Sequence, residues 1–233
     1  MKPPRQARSQ KTLERILDAA EALIIERGAE ALTVTEVARR ARSSVGSLYA
    51  RFSGKEALLR SVFERFLEQA CVTAEATLDP ALWGEVSHAV IVEETVAFAI
   101  RVVEERRNLI AGLTLHAVGH PDMGGLVERL GSVISDRIHT LVCRRGDSLG
   151  HPNPRQAIRF STWVLLSTLE AYTLRRSNEQ AALPSDQIAT EMARMCCAYL
   201  GIVQASDEIT AQSAEDDRAA MSIVGSGQRQ AAR

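Results

Sequence analysis

A chain of 233 residues, 45% of them hydrophobic, has length for a small domain and a larger one, and it can bury a core without stapling. Its four cysteines, Cys71, Cys143, Cys196 and Cys197, show no C-x-x-C spacing and no partnering histidine pattern, so they suggest neither a disulfide framework nor a zinc site and fit a reducing compartment. The net charge of −1 joins two unlike parts, because residues 1–60 hold twelve Lys and Arg against seven acids, a balance of +5 that leaves −6 for the remainder. A basic head on an acidic body points to a polyanion partner for the head alone, with plain solvated helix faces as the rival reading. No apolar run reaches the roughly 18 residues of a membrane span. The start, Met1 to Gln10, is basic and polar without an apolar signal core, so a cytoplasmic protein without a membrane partner is expected.

In chain order, the first predicted helix covers about Lys11 to Arg27, since Leu13, Ile16, Leu17, Ala20, Leu23 and Ile24 recur at three- and four-residue steps and Gly28 stands where a left-handed cap belongs. Thr33-Val34-Thr35-Glu36 has the form of a capping box. Helix two therefore begins at Val34 and turns Val34, Val37, Ala38 and Ala41 inward. Ser43-Ser44 offers the next N-cap, and Leu48 and Phe52, four apart, supply the buried side of a short third helix. Ser53-Gly54 breaks the chain. Lys55 then opens a long amphipathic helix striped by Leu58, Leu59, Val62, Phe63, Phe66 and Leu67.

Beyond Asp79-Pro80 the periodicity predicts helices over about Leu82 to Arg107, Leu109 to Val118, Met123 to Arg145, Arg155 to Ser177 and Ser185 to Val203. Breaks fall at Gly119-His120-Pro121, in the Gly- and Pro-rich segment from Gly146 to Pro154, and around Pro184. From 205 to 233 periodicity stops, and an acidic, then Gly-, Ser- and Gln-rich tail reads as disordered. No alternating strand pattern and no internal repeat occur. The fold class is thus all-α, with an N-terminal three-helix domain over 1–54 and a larger helical domain over 55–204.

Two short helices joined by a tight turn and preceded by a packing helix make a helix-turn-helix, whose second member lies in the major groove. Here that member is about Ser44 to Ala50. With Leu48 turned inward, Ser43, Ser44, Val45, Gly46, Ser47 and Tyr49 are left for the groove and its phosphate walls. Gly46 removes a Cβ where the helix nears a duplex, the serines can donate to phosphate or base edges, and the Tyr49 hydroxyl reaches out from a rigid ring. The competing reading is a structural tri-helical unit, which would favour apolar residues at these positions.

The run from Ala41 to Leu59, Ala-Arg-Ser-Ser-Val-Gly-Ser-Leu-Tyr-Ala-Arg-Phe-Ser-Gly-Lys-Glu-Ala-Leu-Leu, resembles the signature of the TetR family of transcriptional regulators. The likeness spans about residues 9 to 67, and the remainder is similar in helical layout and length. The resemblance implies a homodimer that binds a double-stranded DNA operator with its head and a small-molecule effector with its body. By position, it implies DNA contacts from Thr33, Ser43, Ser44, Val45, Gly46, Ser47, Tyr49, Arg51 and Lys55. Three positions depart from the family pattern. Arg42 stands where members mostly carry glycine, so either the turn accepts a side chain or the register shifts; Val45 replaces a polar residue and Arg51 a histidine. Arg5, Arg8 and Lys11 precede the first predicted helix, either as a minor-groove arm or as a frayed terminus.

In the body, the Arg155 to Ser177 helix is apolar on two sides, with Phe160, Trp163, Val164 and Leu174 on one and Ile158, Leu165, Leu166, Leu169 and Tyr172 on the other. Together with Ile188, Met192, Met195, Tyr199 and Leu200 of the last helix, it predicts a dimer interface built as a four-helix arrangement, with Phe160, Trp163, Val164, Met192, Met195 and Tyr199 as its contact residues. Polar residues embedded in apolar stretches, namely Cys71, His88, Glu94, Thr95, Arg101, Thr114 and His116, are candidate effector contacts, and each also reads as an ordinary structural group. His116 and His120 have the i, i+4 spacing of a metal pair, but Gly119 and Pro121 end the helix there, so no metal and no cofactor is expected. Cys196-Cys197 reads as core rather than as a redox switch.

No G-x-S-x-G, no phosphate-binding Gly-rich loop and no H-E-x-x-H occurs, so an enzyme is not expected. The expected activity is that of a ligand-responsive repressor released from a palindromic operator. Its rivals are an activator or co-repressor of the same fold, and a helical interaction protein that no longer binds DNA.

Overall fold

The computed structural model describes residues 5–143, 149–175 and 183–202, and among them all regular structure is helical. In order come α1 (Arg5–Arg27), α2 (Val34–Arg40), α3 (Val45–Tyr49), α4 (Lys55–Thr77), a single 3-10 turn (Pro80–Leu82), α5 (His88–Glu105), α6 (Arg107–Gly119), α7 (Pro121–Cys143), α8 (Pro154–Arg175) and α9 (Ser185–Leu200). The expected tail over 205–233 lies outside the described residues.

Two boundaries correct the sequence expectation. α1 starts six residues earlier than expected, at Arg5, because nothing between there and Arg27 breaks a helix and the added residues are good helix formers. Arg8 and Lys11 are therefore exposed helical positions rather than an extended arm. The helix expected from Leu82 starts instead at His88. Gly84 adopts a left-handed φ of +44°, Asp79 caps the 3-10 turn through the Ala81 N–H at 2.9 Å, and the Ser87 hydroxyl accepts from the Val90 N–H at 3.3 Å. Hydrophobic periodicity runs through this segment because Trp83 is itself core: its indole N–H donates to the Thr77 carbonyl at 2.8 Å.

The chain divides into two compact units, Met1–Glu68 with Val103–Leu126, and Gln69–Val102 with Val127–Arg233. In the first, Ile16, Leu17, Ala20, Leu23 and Ile24 of α1 are buried together with Val37, Ala38, Leu48, Phe52, Leu58, Val62 and Phe63. The helix α6 packs against α1, and a Cβ on Gly112 would sit 3.0 Å from that of Ala29, in the turn just past the end of α1. The Asn108 amide donates to the Ile25 carbonyl at 2.9 Å.

Charge clasps the same helices. The Glu21 carboxylate, little exposed, accepts from Arg65 at 2.7 Å and from Arg106 at 2.5 Å, and Arg65 also reaches Asp18 at 2.6 Å. In the second unit, Leu78, Trp83, Ile91 and Leu141 form one core cluster, with Val86, Ile134 and Ile138 packed on it.

Candidate nucleic-acid interface

The short helix α3 is fixed by what surrounds it. Thr33 caps α2, its hydroxyl accepting from the Glu36 N–H at 3.3 Å. The return half of the expected capping box is diverted, since the Glu36 carboxylate accepts from Arg27 at 2.6 Å. At the other end of α2, the Arg42 N–H donates to the Arg39 carbonyl at 3.2 Å and the Ser43 N–H to the Ala38 carbonyl at 2.9 Å. This is the bond pattern of a Schellman cap, in which the residue after the last helical turn is left-handed. Arg42 holds that place with φ +50°, the one left-handed non-glycine among the described residues.

Ser44 then caps α3, accepting from the Ser47 N–H at 3.0 Å. Leu48 is fully buried and anchors the helix, while Val45 is 38% and Tyr49 56% exposed. Ser44 and Gly46 are exposed as well, and Ser43 and Ser47 half-buried. A Cβ on Gly46 would meet nothing within 4 Å, so no packing contact inside the chain calls for glycine at this helical position.

The basic residues at the edges are engaged within the head. The Arg51 guanidinium donates to the Ser47 carbonyl and hydroxyl, each at 2.9 Å, and to the Ser9 hydroxyl at 3.0 Å, so it joins α3 to the start of α1. The Lys55 ammonium donates to the Glu30 carbonyl at 2.7 Å. Arg40 donates two hydrogen bonds to Glu26, at 2.6 and 2.7 Å, which holds the Glu26 carboxyl below its usual range. Sequence spacing gave no sign of the Arg51 to Ser9 bond, which joins residues 42 apart.

The seven candidate effector contacts are split between the units. Thr114 and His116 lie in the first, and Cys71, His88, Glu94, Thr95 and Arg101 in the second. Cys71 is buried, His88, Glu94 and Thr114 are half-buried, and the His116 ring is nearly enclosed. The Thr95 hydroxyl is tied back to the Ile91 carbonyl at 2.7 Å, and exposed Arg101 lies 5.9 Å over the Phe98 ring.

On α8 and α9 the expected interface residues separate. Phe160, Trp163, Met195 and Tyr199 are between 41% and 63% exposed; Val164 is half-buried, and Met192 turns into the chain's own core. The exposed rings form one patch, with Phe160 centroids 5.9 Å from Trp163 and 5.4 Å from Tyr199, and His151, missed in the sequence, 5.0 Å from Tyr199. Cys196 and Cys197 are buried, and burial pushes the Cys196 thiol up from its usual range, which suits a core residue.

Residues 16–62, from α1 into α4, match the family model described as bacterial regulatory proteins, tetR family. Over these residues the chain is similar to the N-terminal domain of the TetR family. Two uncharacterized HTH-type transcriptional regulators from strains of Mycobacterium tuberculosis are each 28% identical to it over 178 residues, 76% of this chain and 83% of theirs. Its fold matches a crystal structure described as a TetR-family transcriptional regulator of Mesorhizobium loti, with TM-score 0.67 and 20% identity over 84% of this chain and 98% of that one. It also matches the regulator FadR of Bacillus subtilis, solved in complex with stearoyl-CoA, with TM-score 0.57 and 13% identity over 82% and 99%.

The matched segment is the helix-turn-helix head of a DNA-binding transcriptional regulator. Arg42 occupies the family's turn glycine position with a glycine-like backbone, so the register read from the signature holds and the turn itself accepts a side chain. Among the described residues no helix is long and apolar enough to cross a membrane.

Proposed function

We propose that this chain is a ligand-responsive repressor of the TetR type, which holds a palindromic operator as a homodimer and leaves it when a small molecule binds the helical domain. The observation that carries the DNA part is the two-sidedness of α3. Fully buried Leu48 fixes one side, and the other presents Val45, Gly46, Tyr49 and hydroxyls, with open space where a Gly46 Cβ would stand. A helix built for protein packing would show larger apolar groups there.

On this reading Ser43, Ser44 and Ser47 donate to phosphates or base edges, Val45 meets a thymine methyl, and Tyr49 binds a phosphate. Thr33 and Lys55, at the starts of α2 and α4, bind flanking phosphates. Lys55 and Arg51 keep spare N–H donors after their internal bonds, since an ammonium has three and a guanidinium five. Arg51 thus both orients α3 and reaches the backbone.

The head is residues 1–54, and 55–204 form the effector-binding and dimerisation domain. Cys71, His88, Glu94, Thr95 and Arg101, all of the second unit, are the proposed effector contacts, and Thr114 and His116 of the first are left out of that set. The exposed rings of Phe160, Trp163 and Tyr199, with Met195 and Val164, are the proposed dimer seam, and Met192 supports it from the core side. Effector and operator oppose each other by linkage: a ligand that prefers a conformation poor at binding DNA weakens the operator by the same factor by which the operator weakens it.

Selection of the purified full chain on random duplexes at low salt tests the reading. An inverted repeat is expected, with Tyr49→Ala and Ser47→Ala each weakening the selected site by about tenfold, the loss of one good contact. Failure to enrich any duplex would refute the DNA part. A compound that raises the melting temperature yet leaves operator affinity unchanged would refute the induction part alone.

A further inference from the structure

Glu56 in the first turn of α4 and the histidines His116 and His120 at the end of α6 each offer one donor atom, and these atoms all lie within 4.8 Å of one another. His116 Nδ1 lies 3.5 Å from Glu56 Oε2. The two imidazoles are stacked, with centroids 4.0 Å apart and planes 15° from parallel. Phe63 backs the His116 ring at 5.3 Å. We propose that Glu56, His116 and His120 bind a divalent transition-metal ion of the zinc class, with water completing the coordination.

Three features support a metal over an ordinary carboxylate–histidine pair. First, His120 Nδ1 lies 2.9 Å from the His116 carbonyl oxygen. A carbonyl only accepts, so Nδ1 carries the proton and Nε2 presents its lone pair, the outer-sphere arrangement that orients metal-binding histidines. Second, ligand bonds of about 2.0–2.2 Å place tetrahedral donors roughly 3.3–3.6 Å apart, and the Glu56 to His116 separation of 3.5 Å already has that length. The remaining separations, at most 4.8 Å, need a contraction of up to roughly 1.5 Å, and the stacked rings must turn so that their lone pairs converge. His120 can supply it as the residue just past the end of α6, and so can the exposed Glu56 side chain. Third, the site is dry at one end and open at the other, with the His116 side chain 7% and that of Glu56 71% exposed, which gives an ion both a low-dielectric seat and a way in.

The donor set selects the ion. Two imidazoles and a carboxylate suit Zn²⁺, Co²⁺ or Ni²⁺, whereas Ca²⁺ and Mg²⁺ want oxygen cages and Cu⁺ wants thiolates. Binding would tie the first turn of α4, next to Lys55, to the last turn of α6. The site does not depend on the repressor reading, because metal uptake is measured without DNA.

The untagged full chain, stripped with chelator, is titrated with Co²⁺ at neutral pH. One equivalent is expected to give visible ligand-field bands of a four- or five-coordinate site, without the near-ultraviolet charge-transfer band of thiolate ligands. One equivalent of Zn²⁺ should bleach them and raise the melting temperature by mass action. His116→Ala and His120→Ala should abolish the bands. Glu56→Gln, isosteric and on an exposed side chain, should weaken Co²⁺ at least tenfold while the helical circular dichroism stays that of the wild type. Absence of saturable uptake overturns the proposal. So does a thiolate band, which would move the ion to cysteine, or an affinity that Glu56→Gln leaves unchanged.

Discussion

Gly46 is a liability to the free protein, since an interior helical glycine costs about 0.5–1 kcal/mol relative to alanine and no neighbour lies within 4 Å of where its Cβ would be. Gly46→Ala is therefore expected to raise unfolding stability by about 0.5–1 kcal/mol in denaturant titrations. If α3 seats on duplex as proposed, the same change lowers operator affinity tenfold or more in gel shifts. Stabilisation with full affinity would leave the glycine unexplained by DNA. Arg42 makes the complementary case. A left-handed residue with a Cβ costs about 1–2 kcal/mol, partly offset by the greater unfolded-state entropy of glycine. Arg42→Gly is expected to stabilise the chain by about 1 kcal/mol, and a loss of stability would mean that the arginine side chain earns its place. The sequence displayed the non-glycine at this turn but left two explanations standing. Only the Arg42 to Arg39 and Ser43 to Ala38 bonds decide between them, because a one-residue shift in register and a strained turn look alike in a linear text.

Among elements, local pattern was readable and distant partnership was not. The stripe from Ile16 to Ile24, the Thr33 cap and the Leu48 to Phe52 spacing are all contained within one or two turns, and each is found as read. The start of α5 was misplaced because an apolar stripe continues through a glycine whose φ the sequence does not state. Glu21, by contrast, looks in the sequence like one more solvated helix acid, yet it is where α1 meets Arg65 of α4 and Arg106 at the head of α6. Glu21→Gln keeps the shape and removes the charge that both guanidinium groups share. With the carboxylate 13% exposed and its partners 19% and 28%, a loss of about 1–3 kcal/mol is expected, less than for a fully buried network. Thermal unfolding measures it. A melting temperature unchanged by the substitution would show that Asp18 alone suffices to hold Arg65 and that the clasp on α6 carries little weight.

At the scale of the whole molecule, charge and symmetry decide how strongly salt acts on DNA binding. The excess of +5 in residues 1–60 against −6 beyond them would confine phosphate attraction to the heads of the proposed dimer, each contributing its own set of released counterions. The slope of log affinity against log salt is about −0.9 per phosphate contacted, and a dimer on an inverted repeat engages two such sets at once. The sequence pointed to the proposed second chain only indirectly, as a helix with more apolar faces than one core needs; α8 and α9 carry that surplus as the ring patch of Phe160, Trp163 and Tyr199. Phe160→Ser together with Trp163→Ser removes two of its rings without altering net charge, and both side chains are exposed in the single chain, so the fold should survive. Sedimentation is expected to show a dimer for the wild type and a monomer for the double variant. The variant's affinity for the full operator should collapse, and its salt slope, measured by fluorescence anisotropy, should fall to about half. The slope separates two failures that affinity alone confuses. A damaged head would also bind weakly, but a dimer with weakened contacts keeps both heads on the duplex, whereas a lone subunit can release only its own share of ions. A variant that sediments as a dimer and keeps the full slope would move the seam away from this patch and leave the exposed rings to some other partner.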